Sequence, residues 1–122
     1  MRSATPTEYQ IHVTIMDWVR ANQAQMPWLK LAFHCPNGEL RNAVVAKRLK
    51  RMGVLPGIPD IMIPVDNGVF NGLGIEVKAK EGRLSPAQRE VIDLLRAADW
   101  IVELVRSPDE GIAVITRYFR NF

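Results

Sequence analysis

At 122 residues, 48% hydrophobic and 24% charged, the chain has the make-up of an ordinary soluble globular protein, and one domain with one core is expected over residues 1–122. No apolar run approaches the roughly 18 residues that span a bilayer, the N-terminal stretch has no apolar signal-type core, and the single Cys35 excludes an internal disulfide, so a cytoplasmic home is expected. The net charge of +3 gains meaning only from where the cations fall.

The spacing of Ile11, Ile15, Trp18 and Val19 predicts a helix from Thr7 to about Gln25, capped by Thr7 or Thr5 and closed off by Pro27. Trp28 to His34 alternates as a strand does, and Pro36-Asn37-Gly38 reads as a turn. Arg41 to Met52 reads as a short basic helix with Val44, Val45 and Leu49 inward, ending at Gly53. Pro56-Gly57-Ile58-Pro59 is a stiff loop that delivers Asp60 into an apolar strand, Ile61 to Val65. Leu73 to Ala79 is its hairpin partner across Asn67-Gly68. Ser85-Pro86-Ala87-Gln88 opens a helix to about Ala98, Trp100 to Val105 is a strand, and Ser107-Pro108 opens a last helix. The order α-β-α-β-β-α-β-α predicts an α/β fold, a mixed β-sheet flanked by helices.

Asp60 lies eight residues before Gly68 and Glu76 eight after it. A hairpin folded near Gly68 therefore brings the two carboxylates level, with Cβ atoms about 4.5–5.5 Å apart. Acids that close repel unless a cation lies between them, and Mg²⁺ or Mn²⁺ is the expected occupant. Lys78, two residues past Glu76, shares its strand face, and Lys80 is the spare candidate if the register slips. Asp60, Glu76 and Lys78 together suit metal-dependent attack on a phosphodiester.

Glu8 falls on the same side of its helix as His12, Ile15 and Val19, so it is either a third carboxylate of the metal set or a first-turn acid favoured by the helix dipole. Gln88 either closes a capping box on Ser85 or, with Val91, Ile92 and Leu95 on its side, turns inward toward the carboxylates. Arg41, Lys47, Arg48, Lys50 and Arg51 form a run of cations without an acid, and Arg83, Arg89 and Arg96 follow the carboxylate motif. They are either a solvated surface or a track for phosphates. His12, His34 and Cys35 match no common structural zinc spacing and fall on different elements, so zinc is not expected.

These residues resemble the VRR-NUC family of the PD-(D/E)xK nuclease superfamily. The match runs through Gly57-x-Pro59-Asp60, Glu76-x-Lys78 and Gly82-Arg83-Leu84-Ser85-Pro86-x-Gln88, with Glu8 and Phe33-His34-x-Pro36-Asn37-Gly38 upstream, and covers about Thr7 to Leu104. The resemblance implies a restriction-endonuclease-like core and Mg²⁺- or Mn²⁺-dependent hydrolysis of DNA phosphodiesters that leaves a 5′-phosphate. It implies Glu8, Asp60 and Glu76 as the acids, Lys78 as the lysine and Gln88 as the glutamine of the site. Arg41, Lys47, Arg48, Lys50, Arg51 and Arg83 are the expected DNA contacts. A standalone, phage-type homodimer acting on branched DNA, in the manner of a Holliday-junction resolvase, is the implied form. The strips around Ile101 to Val105 and Ile112 to Phe119 are its candidate dimer surface. The competing reading is a non-catalytic DNA-binding or partner-recruiting module of the same fold, and a weaker third is a nuclease acting on RNA.

Overall fold

The computed structural model describes residues 5–36 and 42–122. Among these residues, four α-helices and three strands follow in the order α1 (Glu8–Ala21), α2 (Ala43–Arg51), β1 (Ile61–Ile63), β2 (Gly72–Val77), α3 (Pro86–Ala97), β3 (Trp100–Val105) and α4 (Pro108–Tyr118). The strands form one mixed sheet in the order β1-β2-β3. β1 is antiparallel to β2 and β3 is parallel to it, as a crossover through α3 requires.

Side chains alternate across this sheet. Leu73, Ile75 and Val77 of β2 join Ile61, Ile63 and Val105 on one face, where Ile11, Ile15 and Val19 of α1 and Val114, Ile115 and Tyr118 of α4 cover them. Each such aliphatic side chain, fully buried, contributes roughly 1.5–3 kcal/mol. The opposite face carries Gly72, Gly74 and Glu76 on β2, all buried, and faces α3, whose Val91 and Ile92 are buried. The fold is therefore three-layered, and Glu76 lies under α3.

Three local expectations are corrected. Trp28 to His34 is not a strand: Pro27–Leu31 forms a 3₁₀ turn, and Phe33 alone of this segment pairs with the sheet by backbone, bridging Met62 through N–H···O bonds of 2.9 Å in both directions. Pro27 at the first position favours helical φ, and Leu29 is the one residue of the turn that is fully buried, so alternation had no second buried side chain to serve. Val44 and Val45 are not inward but 62% and 37% exposed, and no residue of α2 is buried. The strips at Val102, Val105, Val114, Ile115, Tyr118 and Phe119 belong to this chain's own core, which removes them as a dimer surface. α1 also ends at Ala21, earlier than expected, where the Asn22 side chain donates to the Trp18 carbonyl at 2.8 Å. Residue 37 onward of the expected Pro36-Asn37-Gly38 turn, and Arg41, lie outside the described residues.

Among the described residues, no helix is long and apolar enough to cross a membrane.

Candidate functional site

The β1–β2 register pairs Ile61 with Ile75 and Met62 with Gly74, and its continuation sets Asp60 opposite Glu76. That is the alignment expected from the symmetric placement of Gly68. The connection is longer than a two-residue hairpin turn. The Asp66 side chain accepts from the Gly68 N–H at 2.6 Å, and Asn67 Oδ1 accepts from Val69 and Phe70. Gly68 takes φ +93°, which explains glycine there. The Tyr118 hydroxyl pins the two ends of this loop through the Val65 and Phe70 carbonyls, at 2.7 and 3.1 Å.

Glu76 is 2% exposed and is the one charged side chain in the core of the described residues. Its Oε2 accepts from Gln88 Nε2 at 2.8 Å and lies 3.5 Å from Lys78 Nζ. Its Oε1 is buried with no hydrogen-bond partner among the described residues. Burial first, and the Asp60 carboxylate second, push the Glu76 carboxyl up to about 7, against the downward pull of Lys78 and, more weakly, of the nearby Asp60 backbone N–H. Asp60 is held in place by the Val77 N–H, which donates to its Oδ2 at 2.8 Å.

Both roles weighed for Gln88 are present at once. Its Oε1 accepts from the Ser85 N–H at 2.9 Å and its own N–H donates to Ser85 Oγ at 3.1 Å, a complete capping box. The amide nitrogen left over donates to Glu76. Gly57 makes this possible from below. It takes φ +89°, and a Cβ there would sit 2.5 Å from the Ala87 carbonyl oxygen and 2.9 Å from the Gln88 nitrogen. The glycine of the Gly57-x-Pro59-Asp60 string thus lets the loop before Asp60 press against the first turn of α3.

Glu8 is exposed in the first turn of α1, yet its Oε2 reaches the Ala79 N–H at 3.4 Å, just past Lys78. A Cβ on Gly82 would come within 3.3 Å of that oxygen and of Lys78 Cβ. The turn after β2 is tied down by Arg106, a residue the sequence did not single out. Its Nη1 donates to the carbonyls of Ala79, Lys80 and Gly82 at 2.7, 3.2 and 2.8 Å. Lys80 is exposed in this turn, away from the role of a spare lysine, because the expected register holds.

The two histidines do converge, although their spacing announced nothing. Their rings meet edge to face with centroids 4.6 Å apart, and His34 Nδ1 lies 2.7 Å from the Asp60 carbonyl oxygen. Burial first and His34 second hold His12 below its ordinary pKa. Cys35 stands outside this group.

Lys47, Arg48, Lys50 and Arg51 are exposed along α2. Arg83 lines a polar cleft of about 350 Å³ together with Lys80, Arg89 and Arg106. Arg96 is instead structural, donating to the Val102 carbonyl at 2.7 Å.

A buried carboxylate oxygen without a donor costs on the order of 1–3 kcal/mol. Glu76 Oε1, beside a second carboxylate, is a donor set that fits a hard divalent cation. Glu8 reaches the same end of β2 through its contact with the Ala79 N–H.

The model of the VRR-NUC domain matches residues 6–109. A solved structure described as a VRR_NUC domain protein superposes with a TM-score of 0.81 at 28% identity, over 96% of this chain and 91% of that one. No curated protein matches. With a family model covering most of the chain and a solved structure of that description sharing the fold, the protein belongs to the VRR-NUC domain family, whose members are generally nucleases acting on DNA.

Proposed function

We propose that the protein is a divalent-metal-dependent endonuclease that cuts DNA phosphodiesters, with structured or branched DNA as substrate. The observation that carries this reading is Glu76: a buried carboxylate, facing Asp60, with one oxygen held by Gln88 and Lys78 and the other left without a donor. Asp60 and Glu76, joined by Glu8, would hold Mg²⁺ or Mn²⁺. When bound, such an ion supplies Lewis-acid stabilisation of charge on the phosphoryl oxygens. Lys78 orients the attacking water and offsets the negative charge that builds at phosphorus. Gln88 fixes the Glu76 carboxylate through Oε2, so that Oε1 would be the oxygen available to hold the cation. Lys47, Arg48, Lys50, Arg51 and Arg83 follow the phosphate backbone on either side, and Arg41 belongs to the same basic run by sequence.

The unburied apolar edge of α2, Val44 and Val45, together with Met52 at 80% exposure, supports a homodimer of the kind that grips a junction. The chain as a whole reads as one nuclease domain working in the cytoplasm.

The test is incubation of the purified protein with labelled four-way junction, flap and linear duplex, in Mg²⁺, Mn²⁺ or EDTA, beside Asp60→Asn and Glu76→Gln. Cleavage is expected in either metal, strongest on branched DNA, and lost in EDTA and in both variants. Undiminished cutting by Glu76→Gln would defeat the assignment. Tight DNA binding with no cutting in any metal would favour the non-catalytic module instead.

A further inference from the structure

We propose that His12, His34 and Asp60 form a second cation site, built on imidazole nitrogens and selective for a transition-metal ion over Mg²⁺. One ligand atom from each of the three residues lies within 4.8 Å of the other two. They come from three separate elements: α1, the segment after the 3₁₀ turn, and the entry to β1. An ion at this site would draw the three donors in to about 2.0–2.2 Å from itself.

The hydrogen bonding already selects a ligand tautomer. A carbonyl oxygen only accepts, so the 2.7 Å contact from His34 Nδ1 to the Asp60 carbonyl places the ring proton on Nδ1. In the neutral ring Nε2 then carries the free lone pair. Metal-binding histidines are anchored in this way, with the second nitrogen donating to a backbone carbonyl that fixes tautomer and ring orientation. His12 is half-buried one helical turn after Glu8, so α1 brings both toward Asp60 and the end of β2. An open cleft of about 430 Å³, lined by Tyr9, His12, Met16, Phe33 and His34, gives an ion a path from solvent.

Two imidazoles and a carboxylate suit Mn²⁺, Fe²⁺, Co²⁺ or Zn²⁺, whereas Mg²⁺ prefers an all-oxygen octahedral shell. Asp60 is common to this set and to the Asp60–Glu76 pair, so the two ions would be neighbours. Use of the histidine site in cleavage rests on the nuclease reading above; its occupancy does not.

The experiment is Co²⁺ titration of the metal-free full chain, followed by calorimetry and by visible absorption, with Mg²⁺ in excess. Wild type, His12→Ala, His34→Ala and Glu76→Gln are compared, each checked for fold by circular dichroism. A Mg²⁺-resistant Co²⁺ site is expected in wild type and in Glu76→Gln, weakened by at least about tenfold in each histidine variant. Where an alanine variant fails to fold, His12→Gln and His34→Gln take its place. In Glu76→Gln, substoichiometric Mn²⁺ is expected to broaden the imidazole proton signals of His12 and His34 before any others. Wild-type Co²⁺ affinity in both histidine variants, or displacement of Co²⁺ by equimolar Mg²⁺, overturns the proposal. An active nuclease lacking this site defeats the inference alone. A Mg²⁺-resistant Co²⁺ site in a protein that cuts no nucleic acid defeats the nuclease reading alone.

Discussion

Gln88 donates to Glu76 Oε2 at 2.8 Å while its own Oε1 accepts from the backbone of Ser85 at 2.9 Å. One side chain thus starts α3 and positions the buried acid, and two substitutions separate the jobs. Ser85→Ala removes the cap and should cost about 0.5–2 kcal/mol of stability, with the single-turnover cleavage rate kept within a few-fold. Gln88→Glu keeps an acceptor for Ser85 but replaces the donor to Glu76 by oxygen. A hydrogen bond to a charged group is worth about 1.5–3 kcal/mol, so cleavage should fall by roughly 10- to 100-fold. Equal losses of rate in the two variants would mean that Gln88 matters only as a cap.

The buried acid also fixes a pH dependence. Unfolded, the Glu76 carboxyl titrates near its ordinary 4.5; folded, it titrates near 7, because burial and then Asp60 oppose ionisation. Between those values the folded state holds the proton that the unfolded state has released, so stability of the metal-free protein falls as pH rises through this window. At about 1.4 kcal/mol per unit the loss is on the order of 3 kcal/mol. Melting in EDTA should therefore be lower at pH 8 than at pH 5. Glu76→Gln should flatten the difference, and Mn²⁺ should raise the melting point most at the higher pH, where the carboxylate is free to bind it. Equal pH dependence in wild type and Glu76→Gln would remove Glu76 as its source.

Arg106 acts on the lysine through backbone. Its guanidinium gathers the Ala79, Lys80 and Gly82 carbonyls, and the Lys78 N–H donates to the Val105 carbonyl at 3.0 Å. Arg106→Met should free the turn that follows Lys78. Amide exchange at residues 79–82 should accelerate and cleavage should drop about tenfold, for a stability cost of about 1–2 kcal/mol. Unchanged exchange in that turn would show the carbonyls to be held by other means.

The site was more legible in the sequence than its surroundings were. Asp60 and Glu76 could be aligned because the residues that set a hairpin's register are local, and Gly68 marks its centre whether the loop is tight or long. Ser85-Pro86-Ala87-Gln88 is a local signal too, but its second bond, to Glu76, depends on where β2 lies. Most of what failed depended on partners distant in sequence. Val44, Val45 and Leu49 mark an apolar face correctly, yet periodicity does not say whether this chain covers it. Trp28 to His34 alternates, but Pro27 and the single buried Leu29 favour a turn. His12 and His34 meet only after α1 packs on the sheet. Arg106 left no trace because its partners are carbonyls, which every residue carries.

Gly57 and Gly53 form a natural pair of controls for the loop beneath the site. Both have positive φ, +89° and +97°, but a Cβ at Gly53 meets nothing within 4 Å, whereas at Gly57 it would strike the Ala87 carbonyl at 2.5 Å. Gly53→Ala should show the conformational cost alone, about 1–2 kcal/mol. Gly57→Ala should be the more destabilising in chemical denaturation, and it alone should slow cleavage, because relief of the clash moves the first turn of α3 and Gln88 with it. Comparable effects of the two on cleavage would argue against a link from this loop to Gln88.

The cations of α2 are exposed and take no part in the core. No residue of α2 is buried, so reversing Lys47, Arg48 and Arg51 to glutamate should leave core packing intact, with stability changes within about 0.5 kcal/mol per site. If these side chains neutralise phosphates, each lost contact lowers the slope of log K against log salt by about 0.9, up to roughly 2.7 for all three. Binding should weaken alike on every DNA sequence, since phosphate contacts carry no base information. The measurement is junction affinity across a salt series for wild type and the triple variant. A weaker affinity with an unchanged slope would point to a lost protein–protein contact along α2, and an unchanged affinity would return all three side chains to solvent.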